Sequence, residues 1–365
     1  MNAAVRPASS APRGTVGVGA RRAPRRLALA TLAAALAGAM LVAIGIGAVP
    51  IAPDDVVRIL LHSAGLDVEV DSQQAAVLES IRLPRVLLAV LTGAGLGLAG
   101  ALMQGLFRNP LADPALVGVS AGAALAASVV IVLGAGATAQ LGSFALPTAA
   151  FAGALGATAL VYRVGHGGGA ISLPTMLLAG IAVNAFAFAG IGFLTYVADD
   201  QQLRDLTFWN LGSLAGGTWP VVATVVPFVL LAAGAAVLLA QPLNALALGE
   251  ARAEHLGVHV ARIKLGAIVV TALAAGAVVA VTGVIGFVGL VAPHLVRLAC
   301  GPDQRVVIPG AALGGALLVV IADTVARTAA TPADLPLGVL TAVFGAPLFL
   351  ALLLRMRRRL LAEAA

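Results

Sequence analysis

Long apolar segments separated by short polar clusters dominate this chain. Residues 27–49, for example, contain no Asp, Glu, Lys or Arg. A helix rises about 1.5 Å per residue, so about 20 such residues cross the roughly 30 Å hydrocarbon core of a bilayer. A surface helix of a soluble protein has a polar face, which these segments lack. The pattern therefore predicts an all-α, polytopic membrane protein.

Ten such segments are bounded by charged residues, Pro or Gly, and each predicts one transmembrane helix. Two neighbours, 265–281 and 283–299, almost adjoin, so one bent helix with a re-entrant piece is the alternative there. The ten predicted spans are 27–49, 86–107, 115–133, 147–162, 174–197, 218–240, 265–281, 283–299, 306–325 and 336–354.

The distribution of basic residues predicts the orientation. With the N-terminus placed in the cytoplasm, the inner segments contain 17 of the 22 Lys and Arg residues. Cytoplasmic loops carry the excess of basic residues, so both termini are predicted to be cytoplasmic. We expect a disordered basic tail at 1–26, a transmembrane domain at 27–355 and a cytoplasmic C-terminal tail at 356–365. A cleavable signal peptide is disfavoured, because the first apolar run exceeds the usual signal core of about 7–15 residues.

Composition argues against several other classes of protein. The formal net charge is +6, but the basic residues do not gather beside aromatic residues as on a nucleic-acid-binding face. The single cysteine, Cys300, has no partner for an intramolecular disulfide or a metal site. Gly95, Gly97 and Gly100 match a dinucleotide-binding spacing. They lie inside an apolar run, however, where small residues serve the packing of membrane helices.

The sequence shows no energy source within the chain. It lacks the phosphate-binding loop G-x-x-x-x-G-K-[ST], and its only lysine is Lys264. The predicted spans hold no series of buried carboxylates, which makes a secondary carrier the less favoured alternative. Five scattered histidines do not form the cluster that a membrane-embedded enzyme would need. We therefore expect a transporter that is not an enzyme and takes its energy from a partner.

Three polar stretches interrupt the apolar pattern at the predicted membrane surfaces. Residues 81–85 lie at the outer entrance to the second span. Residues 104–114 hold two prolines that end a helix at its inner exit. Residues 248–258 form a mostly polar, glycine-bounded segment on the inner side, and we predict a short helix there. A soluble partner could grip such a helix; an ordinary solvated loop is the alternative.

Nine short motifs follow one another in order after the N-terminal tail. They are Arg82-Leu-Pro-Arg85, Ala99–Gln104, Arg108–Pro114, Leu178–Ile181, Leu248–Glu250, Leu256–Val258, Gly286–Leu290, Pro293–Arg297 and Leu335–Val339. Together they resemble the FecCD family of ABC transporter permeases, which import iron–siderophores, heme and cobalamin. The resemblance covers nearly the whole chain after the tail, and the family has ten spans per subunit.

The resemblance implies a permease that works only with partners. It implies a homodimer in the bacterial inner membrane, with the translocation path on the two-fold axis. Two cytoplasmic ATP-binding subunits would use ATP and Mg²⁺, and a periplasmic heme- or siderophore-binding protein would deliver the cargo. No cofactor bound by this chain itself is expected. Arg82 and Arg327 match outward arginines that pair with glutamates of the binding protein.

Two further sets of residues are implied on the cytoplasmic side. Asn109 and Leu111 match residues near a cytoplasmic gate. Ser172 and Leu173 are the gate candidates in the loop before the fifth span, where this chain departs from some relatives by reading Ser172-Leu173-Pro174 in place of their hydroxyl side chains. Residues 249–258 match the coupling helix that sits in a cleft of the ATPase. Its candidate contact residues are Gly249, Glu250, Arg252, Glu254, Leu256 and Gly257.

The cargo is indicated by one segment of the chain. Within the family, Asp200–Ser213 resembles the heme permeases most closely, although siderophore permeases share its Trp-x-x-Gly-Ser core. Heme is therefore the expected cargo, moved from periplasm to cytoplasm by alternating access. A ferric siderophore or cobalamin is the alternative.

Overall fold

The computed structural model describes residues 22–47, 49–134, 142–167, 170–330 and 333–364. Helices occupy all ten predicted apolar segments, and short helical turns lie between several of them. In chain order the helices are α1 (Arg22–Gly45), α2 (Pro53–Ser63), α3 (Ser72–Val77), a π-helical turn (Leu78–Arg82), α4 (Leu83–Leu106), a 3-10 turn (Pro114–Val117), α5 (Val119–Leu133), a 3-10 turn (Gly142–Phe144), α6 (Ala145–Gly165), α7 (Leu173–Val197), α8 (Asp200–Leu211), α9 (Trp219–Leu246), α10 (Glu250–His255), α11 (Val260–Thr282), α12 (Val288–Cys300), α13 (Gln304–Ala329) and α14 (Leu337–Ala364).

Seven helical segments in the described part of the chain are long and apolar enough to cross a membrane. Three shorter apolar helices, Val119–Leu133, Val288–Cys300 and Leu337–Ala351, lie at the third, eighth and tenth predicted spans. The all-α membrane fold is confirmed, whereas the count of ten spans stays a prediction.

The closely spaced pair of predicted spans forms two separate helices. The chain leaves α11 at Gly283 and enters α12 at Val288, and both Gly283 and Phe287 have positive φ, 71° and 66°. α12 has 13 residues and extends about 20 Å at about 1.5 Å per residue. That is shorter than the hydrocarbon core, so the re-entrant alternative stays open for α12 alone.

Both ends of the bundle differ from the predicted boundaries. α1 starts at Arg22, so only residues 1–21 of the predicted tail lie outside the described residues. Pro24 stands in its first turn, where a helix needs no backbone N–H. α14 continues to Ala364, so the predicted C-terminal tail is, up to that residue, an extension of the last helix.

α4 forms the centre of the bundle. Every residue from 95 to 106 is buried, and the helix packs against α9, α11, α12 and α13. A Cβ atom added to Gly97 would meet the backbone of Ala311, and one added to Gly100 would meet that of Gly289. Small residues therefore let these backbones approach closely, which confirms that the glycine motif serves helix packing.

A short hairpin that the sequence did not predict joins α6 to α7. Strand β1 (His166–Gly167) pairs with β2 (Ala170–Ile171) in antiparallel fashion, with His166 opposite Ile171. The backbone N–H of Ser172 then donates to the carbonyl of Gly165 at 2.9 Å. The hairpin thereby fixes the start of α7 beside the end of α6.

Candidate functional site

The predicted surface helix on the inner side is present as α10. Gly249 and Gly257, with φ of 108° and 82°, form its boundaries, where residues with a side chain would be strained. Ala253 faces inward and is fully buried, whereas Leu256 is 65% exposed. The helix thus presents a charged surface with one exposed leucine, which is a surface suited to contact with a soluble partner.

The loop after α4 is a rigid turn. Asn109 Oδ1 accepts a hydrogen bond from the backbone N–H of Leu111 at 3.0 Å, and Asp113 Oδ1 accepts one from that of Ala115 at 2.9 Å. Arg108, just before Asn109, has a φ of 51°, which only a few non-glycine residues adopt. Leu111 is half-buried and Asn109 is exposed.

The second gate segment lies at the start of α7. Ser172 is its N-cap, because its Oγ accepts from the backbone N–H of Thr175 at 3.3 Å. The Ser172 and Thr175 hydroxyls are also 2.7 Å apart. Leu173 is the first residue of the helix. The position of the predicted gate residues therefore depends on the hairpin that precedes them.

Lys264 connects these inner elements, and sequence reasoning gave it no role. Its side chain is buried, and its Nζ donates to the carbonyl of Ile171 at 2.9 Å and to Glu250 Oε2 at 2.8 Å. Arg108 Nη2 lies 4.0 Å from the other oxygen of Glu250. The Glu250 carboxylate thus lies close to two cations. Lys264 contacts Ile171, just before one predicted gate segment, and Arg108 directly precedes the other. The sequence signal for this role was that Lys264, the only lysine of the chain, stands directly before the predicted span 265–281.

Asp303 connects the inner ends of three helices. Its carboxylate accepts from Asn244 of α9 at 2.8 Å and from the backbone N–H of Arg305 in α13 at 3.1 Å, and it lies 3.2 Å from Arg25 of α1. Burial alone would raise the pKa of Asp303. The two hydrogen bonds and the positive charge of Arg25 outweigh burial, and the pKa falls below its ordinary value of 3.8.

At the outer end, Arg82 is buried rather than presented to solvent. Its guanidinium donates to the carbonyls of Ile44 and Gly45 at 2.7 and 2.9 Å, and also to that of Val49. The last carbonyls of a helix have no partner within the helix and carry partial negative charge. Arg82 therefore caps the C-terminal end of α1.

Arg327 contacts the same end of α1. Its guanidinium donates to the carbonyl of Ala43 at 2.8 Å, and its Nε lies 3.2 Å from Asp323 Oδ2. Asp323 also accepts from Nε and Nη2 of Arg85, with a shortest distance of 2.9 Å. Arg85 in turn donates to Asp334 at 2.7 Å. Both predicted docking arginines thus belong to a packed polar cluster in this structure.

Most of the segment Asp200–Ser213 forms the short helix α8 at the predicted outer surface. α8 begins with a capping box between Asp199 and Gln202, which satisfies backbone donors at its N-terminus. Arg204 and Phe208 are exposed on this helix. A cavity of about 380 Å³ is lined in part by Phe208 and Trp209. Asp205 also lines this recess, and Arg204 is exposed on the helix four residues before Phe208.

In the part of the chain that the structure describes, no group of three His, Cys, Asp or Glu side chains is placed to hold a metal ion. The polar clusters consist of arginines, carboxylates and amides bound to one another or to backbone carbonyls. Their geometry serves to position helices.

Comparison with known proteins gives concordant matches. The model of the FecCD transport family matches residues 32–355. The chain is 47% identical over 283 residues to the hemin transport system permease protein of Yersinia pestis, covering 77% of this chain and 84% of that protein. It is 42% identical over 296 residues to the cobalamin import system permease protein of Halobacterium salinarum, covering 80% and 78%.

Two further matches extend over more of the chain. The Fe(3+)-citrate import system permease protein of Bacillus subtilis is 38% identical over 327 residues, covering 90% of this chain and 94% of that protein. A solved structure described as a metal-chelate type ABC transporter in an inward-facing conformation superposes with a TM-score of 0.80 at 31% identity, covering 90% of this chain and 99% of that one.

Proposed function

We propose that heme is the cargo of this chain, which belongs to the FecCD transport family and is the permease subunit of an ABC importer of the metal-chelate type. The protein is a multi-pass component of the inner membrane and is not itself an enzyme. Membership of the family implies a separate ATPase and a substrate-binding protein as partners.

The observation that carries the cargo assignment is the similarity to the Yersinia pestis hemin permease, which exceeds that to the cobalamin and Fe(3+)-citrate permeases. The outer surface supports it. Heme is a flat, anionic molecule with an apolar face, and α8 presents Arg204 next to the exposed ring of Phe208. A cation beside an aromatic surface matches both properties of such a cargo.

The permease itself is expected to bind heme weakly. A transport pathway must release what it admits, so strong axial ligation along the path would slow passage. α7 exposes Leu178, Ile181, Phe186 and Phe188, none of which is an iron ligand, and its one exposed tyrosine, Tyr196, lies at the last turn of the helix. Selectivity would then reside mainly in the binding protein, where ligation can be strong.

Reconstitution tests the cargo directly. The permease, its ATPase and its binding protein are placed in liposomes, and ATP-dependent uptake of heme, a ferric siderophore and cobalamin is compared. We expect heme uptake that stops when ATP is replaced by a non-hydrolysable analogue. Uptake of the siderophore or cobalamin without heme would overturn the heme assignment and leave the importer class intact.

We also propose that the functional unit is a homodimer. The single chain exposes many large apolar side chains, including Phe193 and Tyr196 of α7 at 66% and 87%. Such surfaces are stable only against lipid or another protein. Cysteine cross-linking of a Phe193→Cys variant in a Cys300→Ser background should give a disulfide-linked dimer if α7 lies at the two-fold axis. A chain that stays monomeric in native mass spectrometry of the assembled complex would refute the dimer.

The local roles complete the proposal. Residues 249–258 form the coupling helix for the ATPase, supported by the exposed Leu256 and the charges around it. Asn109, Leu111, Ser172 and Leu173 form the cytoplasmic gate. Docking of the binding protein through Arg82 and Arg327 requires that these arginines first leave the carbonyls at the end of α1, because Arg82 is buried and the Arg327 side chain is only 9% exposed.

A further inference from the structure

We propose that Lys264 is a positioning residue that transmits movement of the coupling helix α10 to the cytoplasmic gate. The inference rests on the gate and coupling-helix roles given above. It adds the physical connection between them, which runs from the Glu250 carboxylate through the Lys264 ammonium to the carbonyl of Ile171.

The connection is short and consists of two strong contacts. Lys264 Nζ lies 2.8 Å from Glu250 Oε2 and 2.9 Å from the Ile171 carbonyl oxygen. Both contacts involve an ionised group, and such hydrogen bonds are roughly twice as strong as neutral ones. Glu250 is the first residue of α10, and Ile171 immediately precedes Ser172. A shift of α10 therefore acts on the gate backbone through a single side chain.

Burial makes the connection stiff. Lys264 is only 3% exposed, so its ammonium has little water to replace a lost partner. Leaving a buried ammonium without a partner is strongly unfavourable. The Lys264 side chain must therefore move with Glu250, or α10 and the segment at Ile171 must move together. Glu250 itself is 39% exposed on its side chain, which places the input end of the relay at the surface where a partner arrives.

The second gate segment is within reach of the same carboxylate. Arg108 Nη2 lies 4.0 Å from Glu250 Oε1, and Arg108 precedes Asn109 directly. This contact is more exposed and longer than the lysine contact, so it contributes less. Glu250 is nevertheless placed to influence both halves of the gate at once.

The test measures gate movement without any cargo, so it is independent of the heme assignment. Ser172 is changed to Cys in a Cys300→Ser background, and the full complex with its ATPase is labelled from the cytoplasmic side with a thiol reagent. In this background, we expect the labelling rate to change at least fivefold between the ATP-free and vanadate-trapped states.

Lys264→Met removes the ammonium and keeps the apolar chain, and we expect it to abolish the nucleotide-dependent change while the ATPase still assembles and hydrolyses ATP. Lys264→Arg should retain at least half of the change, because a guanidinium can donate to both oxygens. Arg262→Met, an equal loss of charge at an exposed position of the same helix, should behave like the parent. If Lys264→Met fails to fold, Glu250→Gln replaces it and should reduce the change at least threefold.

Three results would overturn the relay. One is a full nucleotide response in Lys264→Met or Glu250→Gln. Another is a proportional loss of labelling response and ATPase activity that Lys264→Arg does not rescue, which would indicate a purely structural lysine. A parent without any nucleotide response would overturn the gate assignment and the relay together, whereas failure of heme uptake alone leaves the relay standing.

Discussion

The carboxylate of Asp323 is expected to be the most important single charge at the outer end of the bundle. It pairs with both Arg85 and Arg327, and the three side chains are 3%, 11% and 9% exposed. Asp323→Asn keeps the size of the side chain and removes its charge. Loss of one partner from a buried ion pair typically costs about 3–5 kcal/mol, because the remaining charge is left uncompensated.

Asp334 provides a matched comparison. It pairs with the same arginine, Arg85, at 2.7 Å, but its side chain is 34% exposed. Water can replace a partner at such a position, so Asp334→Asn should cost at most about 1 kcal/mol. Both variants remove a carboxylate partner of Arg85, but Asp323→Asn does so at the more buried position and also removes a partner of Arg327.

The measurement is the free energy of unfolding of the purified permease in mixed micelles with increasing SDS, followed by tryptophan fluorescence. We expect Asp323→Asn to lower the free energy of unfolding by about 2 kcal/mol or more beyond the loss in Asp334→Asn. This is the typical difference between breaking a buried and an exposed ion pair. Equal losses would refute the reasoning, because they would show that Arg85 and Arg327 do not depend on the buried carboxylate.

Four further outcomes are expected. Leu256→Asp should weaken co-purification of the ATPase at least tenfold while membrane insertion is unchanged, and normal co-purification would contradict a coupling role for α10. Arg82→Glu should weaken docking of the loaded binding protein at low salt and should also destabilise the outer end of α1, because three carbonyls lose their donor; unaltered docking would leave Arg82 with its α1-capping role alone. Because the pKa of Asp303 is lower in the folded protein, its contribution to stability is present above about pH 4 and is lost as pH falls through the folded pKa. Asp303→Asn should therefore flatten the acid limb of a stability–pH profile, and an unchanged limb would contradict this. Gly100→Ala should sharply reduce the yield of folded protein, since its Cβ would meet a neighbouring backbone, whereas Gly234→Ala, with open space around it, should not; equal yields would contradict the packing argument.

Much of the fold follows from local chemistry that the sequence displays directly. Apolar runs determine where α4 and α9 lie, because each must satisfy its backbone internally in lipid. The packing role of Gly97 was likewise accessible, since a glycine motif inside such a run has few other uses. The long helices of the bundle were therefore predictable one by one, with ends that differ by up to six residues and by ten at the end of α14.

The polar contacts were less accessible, because each joins residues distant in sequence. Arg82 stands beside a span and resembles an outward charge, yet its partners are carbonyls more than 30 residues earlier. Lys264 reaches Ile171 across 93 positions of the chain. The hairpin before α7 also escaped prediction, since two-residue strands leave no alternating pattern. The roles of site residues that depend on such contacts can be recognised only in the folded bundle.

Each end of α1 makes one contact with a residue that is synthesised much later. Arg25 pairs with Asp303, 278 positions further along, and the carbonyl of Ala43 accepts a hydrogen bond from Arg327, 284 positions further along. At roughly 5–20 residues per second, a ribosome needs between about 14 and 56 s to reach Asp303 after Arg25. During that interval α1 has neither of these contacts, but Arg82, 37 positions after Gly45, is already available to cap its C-terminal end, and Arg25–Gly45, with a mean hydropathy of 2.4, is apolar enough for the bilayer. The contacts of α1 are therefore completed in two stages, first with Arg82 nearby in the sequence and only much later with Asp303 and Arg327.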